Sequence, residues 1–319
     1  MIARIAAGIS LSLVAACALA QPYPNRPIRL IVPYSGGGHG DVVVRTVTAA
    51  VSESIGQQFV IEPRPGAGGN IAGDAVAKAT PDGYTILFAT PLLAINASLY
   101  QRLSFDPRKD LVPITLAADG PYVLYMTGKL PVSNAAEFIA LAKAKPKEFN
   151  YASLGVGTGP HLGGVLFAAA AGIDLTHIPY KGFAQSLPDL ISGQVHITFN
   201  GIGAAQQFVQ TGQVKILGFA SPKRLPAYPD VPTVAESVPG FELAGWYGFC
   251  APAGVPAEIL SRLNAEFVRA VSTPEMADKM LKLGLFAKPQ SLQEARQYFE
   301  REIERWGRAV RLSGARIDE

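Results

Sequence analysis

The chain lacks the charge pattern of a nucleic-acid-binding protein. Charged residues make up only 17% of its 319 residues, and the formal net charge is +3. No stretch forms a basic run, and the aromatic residues do not interleave with one. We therefore expect no nucleic acid among its partners. The length is sufficient for about two domains of ordinary size.

The chain begins with an apolar segment, residues 5–16, that is shorter than the roughly 20 residues a membrane-spanning helix needs. This segment follows Arg4 and precedes the small-x-small sequence at 18–20, so residues 1–20 are predicted to be a secretory signal peptide. We expect cleavage after Ala20, a periplasmic location, and a mature charge of +2, because removal of Arg4 subtracts one from +3. In the alternative, residues 14–17 act as a lipobox and Cys17 is lipidated.

Cysteine is nearly absent. Once Cys17 is removed with the signal peptide, Cys250 alone remains, so the mature chain cannot form an internal disulfide. Cys250 lies in an apolar segment and is expected to pack in the core as a small hydrophobic residue.

The mature chain alternates between apolar segments and helical patterns, which predicts an α/β fold with parallel strands. Strands are predicted at 28–32, 59–62, 84–89, 123–126, 150–152, 178, 195–199, 214–220 and 246–251. Helices are predicted at 41–55, 71–79, 134–144, 161–171, 183–192, 257–272, 274–283 and 292–312, with helices only after Pro252.

A glycine-rich segment, Gly36–Gly40, separates the first strand from the first helix. Glycines allow close approach of a ligand, and N–H groups at a helix N-terminus favour an anion. The segment does not match the dinucleotide fingerprint, because the spacing of its glycines is wrong. It does not match the P-loop either, because no lysine precedes residue 78. The segment is either an anion site or only a tight turn. A second segment of this kind, Gly155–Gly159, precedes another helix, and two such ends across a cleft could hold a dianion.

Catalytic and metal-binding patterns were not found. The four histidines do not pair at metal-ligand spacing, no nucleophile elbow occurs, and Ser35 and Ser153 lack an evident His and Asp. No cofactor, metal or catalytic residue is predicted. The sequence therefore favours a binding protein over an enzyme.

Eight segments, in order, resemble the Bug/TctC receptors, the extracytoplasmic solute-binding proteins of tripartite tricarboxylate transporters. They are residues 23–41, 63–73, 81–90, 96–115, 150–162, 178–182, 225–237 and 246–256. The resemblance implies a type II periplasmic-binding-protein fold, in which two α/β domains are joined by two crossing strands near Val123 and Trp246, with a ligand cleft between them. Domain 1 would comprise 21–123 and 246–319, and domain 2 would comprise 124–245.

The resemblance also implies which residues bind the ligand. In the first loop, Tyr34 would pack on the ligand, Gly38, His39 and Gly40 would donate backbone N–H groups, and Asp41 would be the N-cap of the helix or contact the ligand. The remaining candidates are Thr90, Pro91, Gly157, Thr158, Gly159, His161, Tyr180, Lys181, Phe183 and Asn200. Thr158 would donate through its hydroxyl. For three candidates a structural role is the alternative: His161 as a local hydrogen-bonding residue, Tyr180 as a packing residue, and Lys181 as a solvated charge.

Several positions depart from the usual family pattern, namely His39, Gly40, Leu93, Phe183 and Asn200. Together they remove polar contacts and add apolar surface near the cleft, so we expect a ligand with a larger apolar or aromatic body than malate or citrate. The sequence thus predicts a monomeric receptor that binds a small carboxylate and delivers it to the membrane subunits of the transporter. The alternatives are an exported enzyme acting on a small carboxylate and a ligand sensor for a signalling partner.

Overall fold

The structure is a computed structural model that describes residues 23–34 and 39–317, with the side chain of His39 excepted. The predicted signal peptide and its alternative lipidation site, Cys17, lie outside the described residues, as does Gly38.

The described chain alternates between strands and helices. The strands are β1 (Ile28–Val32), β2 (Phe59–Pro63), β3 (Thr85–Ala89), β4 (Leu111–Pro121), β5 (Val123–Thr127), β6 (Asn150–Ser153), β7 (Thr176–Pro179), β8 (Ile197–Asn200), β9 (Val214–Phe219), β10 (Ala244–Pro252) and β11 (Phe286–Ala287). The α-helices are α1 (His39–Ile55), α2 (Asn70–Ala77), α3 (Pro91–Leu99), α4 (Ala135–Ala144), α5 (Gly159–Ala171), α6 (Phe183–Ser192), α7 (Gln206–Gln210), α8 (Ala257–Val271), α9 (Pro274–Lys282) and α10 (Leu292–Ser313).

The strands form two sheets, and both sheets are mixed. The first has the order β11-β4-β10-β3-β1-β2, with β1 parallel to β2 and β3, and β10 antiparallel to β3 and β4. The second has the order β7-β6-β8-β5-β9, with β6 parallel to β7 and β8, and β5 antiparallel to its neighbours. The prediction of parallel strands is therefore right for β1 with β2 and β3 and for β6 with β7 and β8, and wrong for the pairings made by β5, β10 and β11.

The strand β1 is apolar except for the exposed Arg29, because helices cover both of its faces. Leu30 packs in one core cluster with the valine stripe of α1, whereas its neighbour Ile31 packs in a second cluster with α2 and α3. Since successive strand residues point to opposite faces, a strand covered on both sides has no polar alternation. The predicted stripe of Val43, Val47 and Val51 is fully buried.

The two sheets meet where the chain crosses between them. Tyr122 separates β4 of the first sheet from β5 of the second, and the chain returns through Leu243 just before β10. The N–H of Tyr122 donates to the carbonyl of Leu243 (2.9 Å), and the N–H of Ala220 donates to the carbonyl of Tyr122 (2.8 Å). The crossings therefore lie next to Val123 and Trp246, as predicted. The domain limits stay a prediction.

A buried carboxylate fixes β10 to α10. The side chain of Glu302 is only 1% exposed, and its Oε2 accepts hydrogen bonds from the indole nitrogens of Trp246 and Trp306, each at 2.9 Å. Arg305 pairs with the other oxygen at 3.0 Å. Burial raises the pKa of Glu302, and these partners oppose that shift.

Four described elements were not predicted: β4, α3, α7 and β11. The two-residue strand β11 pairs with β4, so the expectation of helices only after Pro252 is wrong. Most other boundaries agree within two residues. Cys250 packs as predicted: it is 2% exposed, and burial raises its pKa to about 12.

Candidate functional site

The predicted site residues gather at the carboxyl ends of parallel strands. In the first sheet, β1 and β3 are adjacent, so Tyr34 and Thr90 follow neighbouring strand ends. In the second sheet, β6 lies between β7 and β8, so the segments after Ser153 and Pro179 lie beside Asn200. Ligands of open α/β sheets bind at such edges.

The two edges contact each other. Gly157 of the second sheet's edge lies against Leu99 of α3, and a β-carbon at position 157 would overlap with that leucine. A β-carbon at Gly159 would lie 2.6 Å from the hydroxyl of Tyr122, and one at Gly284 would lie 3.0 Å from Ile202. The halves of the molecule therefore meet at glycines, which permit close approach.

A cavity of about 610 Å³ lies beside the crossing segments, between the two sheets. Its volume is within the range of roughly 300–1,000 Å³ typical of small-molecule sites. Its lining comprises Gly120, Pro121, Tyr122, Leu154, Asn200, Gly201, Ile202, Gly203, Ala204, Gln206, Tyr228, Gly245, Tyr247, Leu281, Lys282, Leu283, Gly284 and Leu285.

Of the predicted site residues, only Asn200 is among the described residues that line this cavity. Sequence reasoning missed Tyr122, Tyr228 and Tyr247, the three aromatic residues among those that line the cavity. A signal for two of them existed, because Tyr122 and Tyr247 adjoin the predicted crossing strands.

Tyr34 connects the first strand's end to this cavity through Phe88. The Tyr34 ring meets Phe88 edge-on with centroids 6.1 Å apart, and Tyr247 stacks on Phe88 at 5.6 Å. The hydroxyl of Tyr34 is buried and has no hydrogen-bond partner among the described residues. Burial raises its pKa, with smaller contributions from Tyr247 and Asp41, so the phenol remains a donor at neutral pH.

The first helix begins earlier than predicted, at His39, so Asp41 is the third helical residue and not the N-cap. The carboxylate of Asp41 pairs with Arg45 one turn later, at 3.0 Å. His39 and Gly40 occupy the first turn, where backbone N–H groups lack carbonyl partners within the helix. Gly40 also makes room for Tyr34, whose hydroxyl would lie 3.0 Å from a β-carbon there.

In the second glycine-rich segment, backbone N–H groups donate to acceptors of the same segment. The N–H of Gly155 donates to Ser153 Oγ (3.1 Å), and the N–H of Gly157 donates to His161 Nδ1 (3.1 Å). The Thr158 hydroxyl donates to the carbonyl of Gly155 (2.7 Å). Thr158 therefore directs its hydroxyl proton at its own loop in this structure, and its contact with a ligand stays a prediction.

His161 fits the structural alternative. It is 6% exposed, and its ring lies 4.1 Å from that of His177, centroid to centroid. Nε2 of His177 is 2.6 Å from Ser153 Oγ. Burial lowers the pKa of His161, and burial together with the nearby His161 lowers the pKa of His177 to about 4. Both rings are neutral at pH 7. They hold the segment through the contacts of His161 with Gly157 and of His177 with Ser153.

The residues after β7 contact their own helix. The Tyr180 hydroxyl donates to Asp189 Oδ2 at 2.6 Å, and the exposed Lys181 donates its backbone N–H to Gln185 at 3.2 Å. Phe183 packs partly buried against the core cluster that contains Leu190. These contacts favour the packing role for Tyr180 and the solvated role for Lys181.

Thr90 and Pro91 begin α3. Thr90 is the N-cap by position, but its side chain makes no capping hydrogen bond, and Pro91 takes the first helical position, where a missing N–H costs nothing. Leu93 is 6% exposed and belongs to the core. Leu93 therefore packs in the core and Phe183 is partly buried, and the expectation that these positions add apolar surface near the cleft stays a prediction.

Within residues 23–34 and 39–317, no three His, Cys, Asp or Glu side chains cluster so as to hold a metal ion. Nor does this part of the chain contain a helix with the length and apolarity needed to cross a bilayer.

Comparison with known proteins identifies the family. The family model for the tripartite tricarboxylate transporter family receptor, TctC, matches residues 43–314. The chain belongs to this family. Its relatives include BugT of Bordetella pertussis, which is 33% identical over 99% of this chain and 98% of its own. Another is the UPF0065 protein of the tcbD-tcbE intergenic region of Pseudomonas sp. strain P51, which is 36% identical over 96% of this chain and 93% of its own.

Solved structures agree with this assignment. Rpa4515 of R. palustris, solved with adipate, has a TM-score of 0.78 and 35% identity over 92% of this chain and all of its own. MatC of Rhodopseudomonas palustris, solved with bound malate, has a TM-score of 0.74 and 31% identity over 90% of this chain and all of its own. The TctC receptor is thus a solute-binding protein of the periplasmic type, and its family consists of receptors rather than enzymes.

Proposed function

We propose that this receptor captures a small carboxylate between its two sheets and delivers it to the membrane subunits of a tripartite tricarboxylate transporter. The observation that carries the proposal is a pair of buried donors, neither with a partner among the described residues. One is the side-chain amide nitrogen of Asn200, which lines the cavity, and the other is the hydroxyl of Tyr34, whose ring contacts the cavity wall at Tyr247 through Phe88. Unpaired buried donors are costly, so a ligand that supplies acceptors would be stabilised there. The adipate and malate bound by similar structures support the same class of ligand.

The ligand would lie with one carboxylate near the first turn of α1 and its body toward the cavity. His39, Gly40 and Tyr34 would hold the carboxylate, together with Gly38, and Thr90 and Pro91 would flank it. The walls formed by Tyr122, Tyr228 and Tyr247 would accept an apolar or aromatic body, since offset and edge-to-face ring contacts are favourable. Gly157 and Gly159 would serve as the surface on which the two halves close.

A thermal-shift screen tests this proposal. The mature protein is heated with adipate, malate, citrate, benzoate and phenylacetate, and a bound acid at 100 times its dissociation constant should add about 2.7 kcal/mol to stability. We expect stabilisation by at least one acid with an apolar body. Stabilisation by citrate and by no such acid would contradict the expected ligand body, and stabilisation by none of the five would contradict carboxylate capture.

Native mass spectrometry tests the remaining expectations. We propose a monomer that begins at Gln21, with domain 1 formed by 21–123 and 246–319 and domain 2 by 124–245. The spectrum should give the mass of one chain lacking residues 1–20, with any co-purified acid recovered unchanged. A lipid adduct would instead support modification of Cys17, and a chemically altered acid would support the enzyme alternative.

A further inference from the structure

The orientation of the Asn200 side chain is fixed by its neighbour. Oδ1 accepts a hydrogen bond from the backbone N–H of Gly201 at 2.9 Å. The reverse orientation would place the amide NH2 against this N–H, so Nδ2 must point the other way. The hydroxyl of Tyr125 in turn donates to the carbonyl of Gly201 at 3.1 Å and holds that residue in place.

The free end of this amide is a donor that lacks an acceptor. Nδ2 of Asn200 is buried and has no hydrogen-bond partner among the described residues, although Asn200 lines the cavity. Asn200 ends β8 and pairs with Val123, so it lies beside the crossing segment at Tyr122. This placement puts the donor beside the crossing segment, in the opposite half of the molecule from Tyr34.

The charges around the cavity also favour a ligand group that accepts hydrogen bonds. No acidic side chain is present among the described residues that line it. The one cation among the described lining residues is Lys282. A ligand ammonium here would be desolvated without a counter-charge, which is unfavourable, whereas a carboxylate or carbonyl would receive the Asn200 hydrogen bond.

We propose that Asn200 is a specificity-determining residue that selects carboxylates whose far end carries a hydrogen-bond acceptor and rejects those whose far end is an ammonium. The ligand class is thus dicarboxylates and acceptor-substituted monocarboxylates with an apolar body, not amino acids. This inference rests on the proposed capture of a carboxylate in the cleft.

Matched probes test the selection. Titration calorimetry at pH 7 compares adipate, hexanoate and 6-aminohexanoate, which share one chain length and differ at the far end. An aromatic series uses terephthalate, benzoate and 4-(aminomethyl)benzoate. In the series that binds, the acceptor-ended acid should bind at least tenfold more tightly than the ammonium-ended acid, with the unsubstituted acid between them.

Two variants and one control assign the effect to Asn200. Asn200→Asp should reverse the preference, and Asn200→Leu should reduce the acceptor-ended acid to the affinity of the unsubstituted one. Gln207→Glu adds the same negative charge at an exposed neighbouring position that does not line the cavity, and should leave the order of affinities unchanged.

The outcomes separate the inference from the function on which it rests. Equal or tighter binding of the ammonium-ended acid by the unsubstituted protein overturns the role of Asn200 and leaves carboxylate capture intact. A reversal by Gln207→Glu as large as that by Asn200→Asp also overturns it, because a negative charge outside the cavity would then suffice. Failure of all six acids to bind overturns the proposed function and the inference together. The measurements on the unsubstituted protein decide the question even if a variant does not fold.

Discussion

The two glycine-rich segments have the same order of strand, glycines and helix, but their described groups are engaged differently. Around 153–161, the N–H groups of Gly155 and Gly157 are bonded to Ser153 and His161 of the same segment. At the start of the first helix, by contrast, the hydroxyl of Tyr34 is buried with no partner among the described residues. The second segment therefore bonds its own backbone donors, whereas Tyr34, which precedes the first segment, has a hydroxyl that is unpaired among the described residues.

The largest effect should come from closing the space at Gly157. Its φ is +79°, and a β-carbon there would overlap with Leu99. Gly157→Ala should lower the free energy of unfolding by about 1–2 kcal/mol through backbone conformation, and by about 1–3 kcal/mol through overpacking. Urea denaturation measures the loss.

Gly182→Ala is the matched control for Gly157→Ala. Gly182 has an extended backbone with φ −178°, and nothing lies within 4 Å of its would-be β-carbon. Its stability should be close to that of the unsubstituted protein. Equal stabilities of the two alanine variants would mean that the second segment is not packed against α3.

The second-largest effect should come from acid, which should lower the contribution of the second segment to the free energy of unfolding. The pKa of His177 is lowered to about 4 and that of His161 is also lowered, so the unfolded chain, with histidine pKa near 6.5, binds protons first. The contribution of these rings to stability is full above about pH 6.5 and is lost as the pH falls toward about 4. The raised pKa values of Asp119 and Glu302 act in the opposite direction.

His177→Gln isolates this contribution, because glutamine can still hydrogen-bond Ser153 but does not titrate. Melting temperatures of both proteins measured between pH 7 and pH 4 should converge as the pH falls. Parallel curves would show that the His177 ring is not responsible.

A substitution of Tyr34, which precedes the first segment, should change ligand affinity rather than stability. Tyr34→Phe removes the unpaired buried hydroxyl, so we expect an unchanged or slightly higher melting temperature and about tenfold weaker carboxylate binding, equivalent to about 1.4 kcal/mol. Tyr23→Phe serves as control: its hydroxyl donates to the carbonyl of Gly83 at 2.7 Å, so its loss should lower stability and leave affinity unchanged. A Tyr34→Phe variant that binds normally but melts earlier would remove the contrast between the segments.

The smallest expected effect is a difference in stability loss between substitutions of two threonines that each precede a helix. Thr158→Val removes the hydrogen bond to Gly155 and should cost about 0.5–1.5 kcal/mol of stability. Thr90→Val should cost less, because the Thr90 side chain makes no capping bond. Thermal unfolding of both variants checks the order, and a larger loss at Thr90 would reverse it.

The sequence was informative where local patterns carry the fold. Buried strands and the valine stripe of α1 follow from apolar periodicity, and most boundaries agree closely. The strand β4 was missed because Pro113 and Gly120 are strand-breaking residues. The structure accommodates Pro113 opposite Cys250, next to a register shift in the pairing with β10.

Helix α3 was missed for a different reason. Its residues Leu93, Ala94, Ile95, Asn96 and Leu99 are all buried, so it lacks the polar face that makes a helix recognisable. The site was predictable only in part, since turns are local but their partners are not. Nothing in the spacing of residues 153–161 indicates that the ring of His161 takes up the Gly157 N–H, or that Tyr247 faces the same cavity as Asn200.

The shared carboxylate of Glu302 has a practical consequence for spectroscopy. The chain contains two tryptophans, and both donate to the same oxygen atom. One of them, Trp246, belongs to the strand that follows the crossing, and the other belongs to the helix behind it. Intrinsic fluorescence of this protein therefore reports a single locus, and a change in emission on adding a solute would measure displacement of the crossing strand against its supporting helix without any attached label.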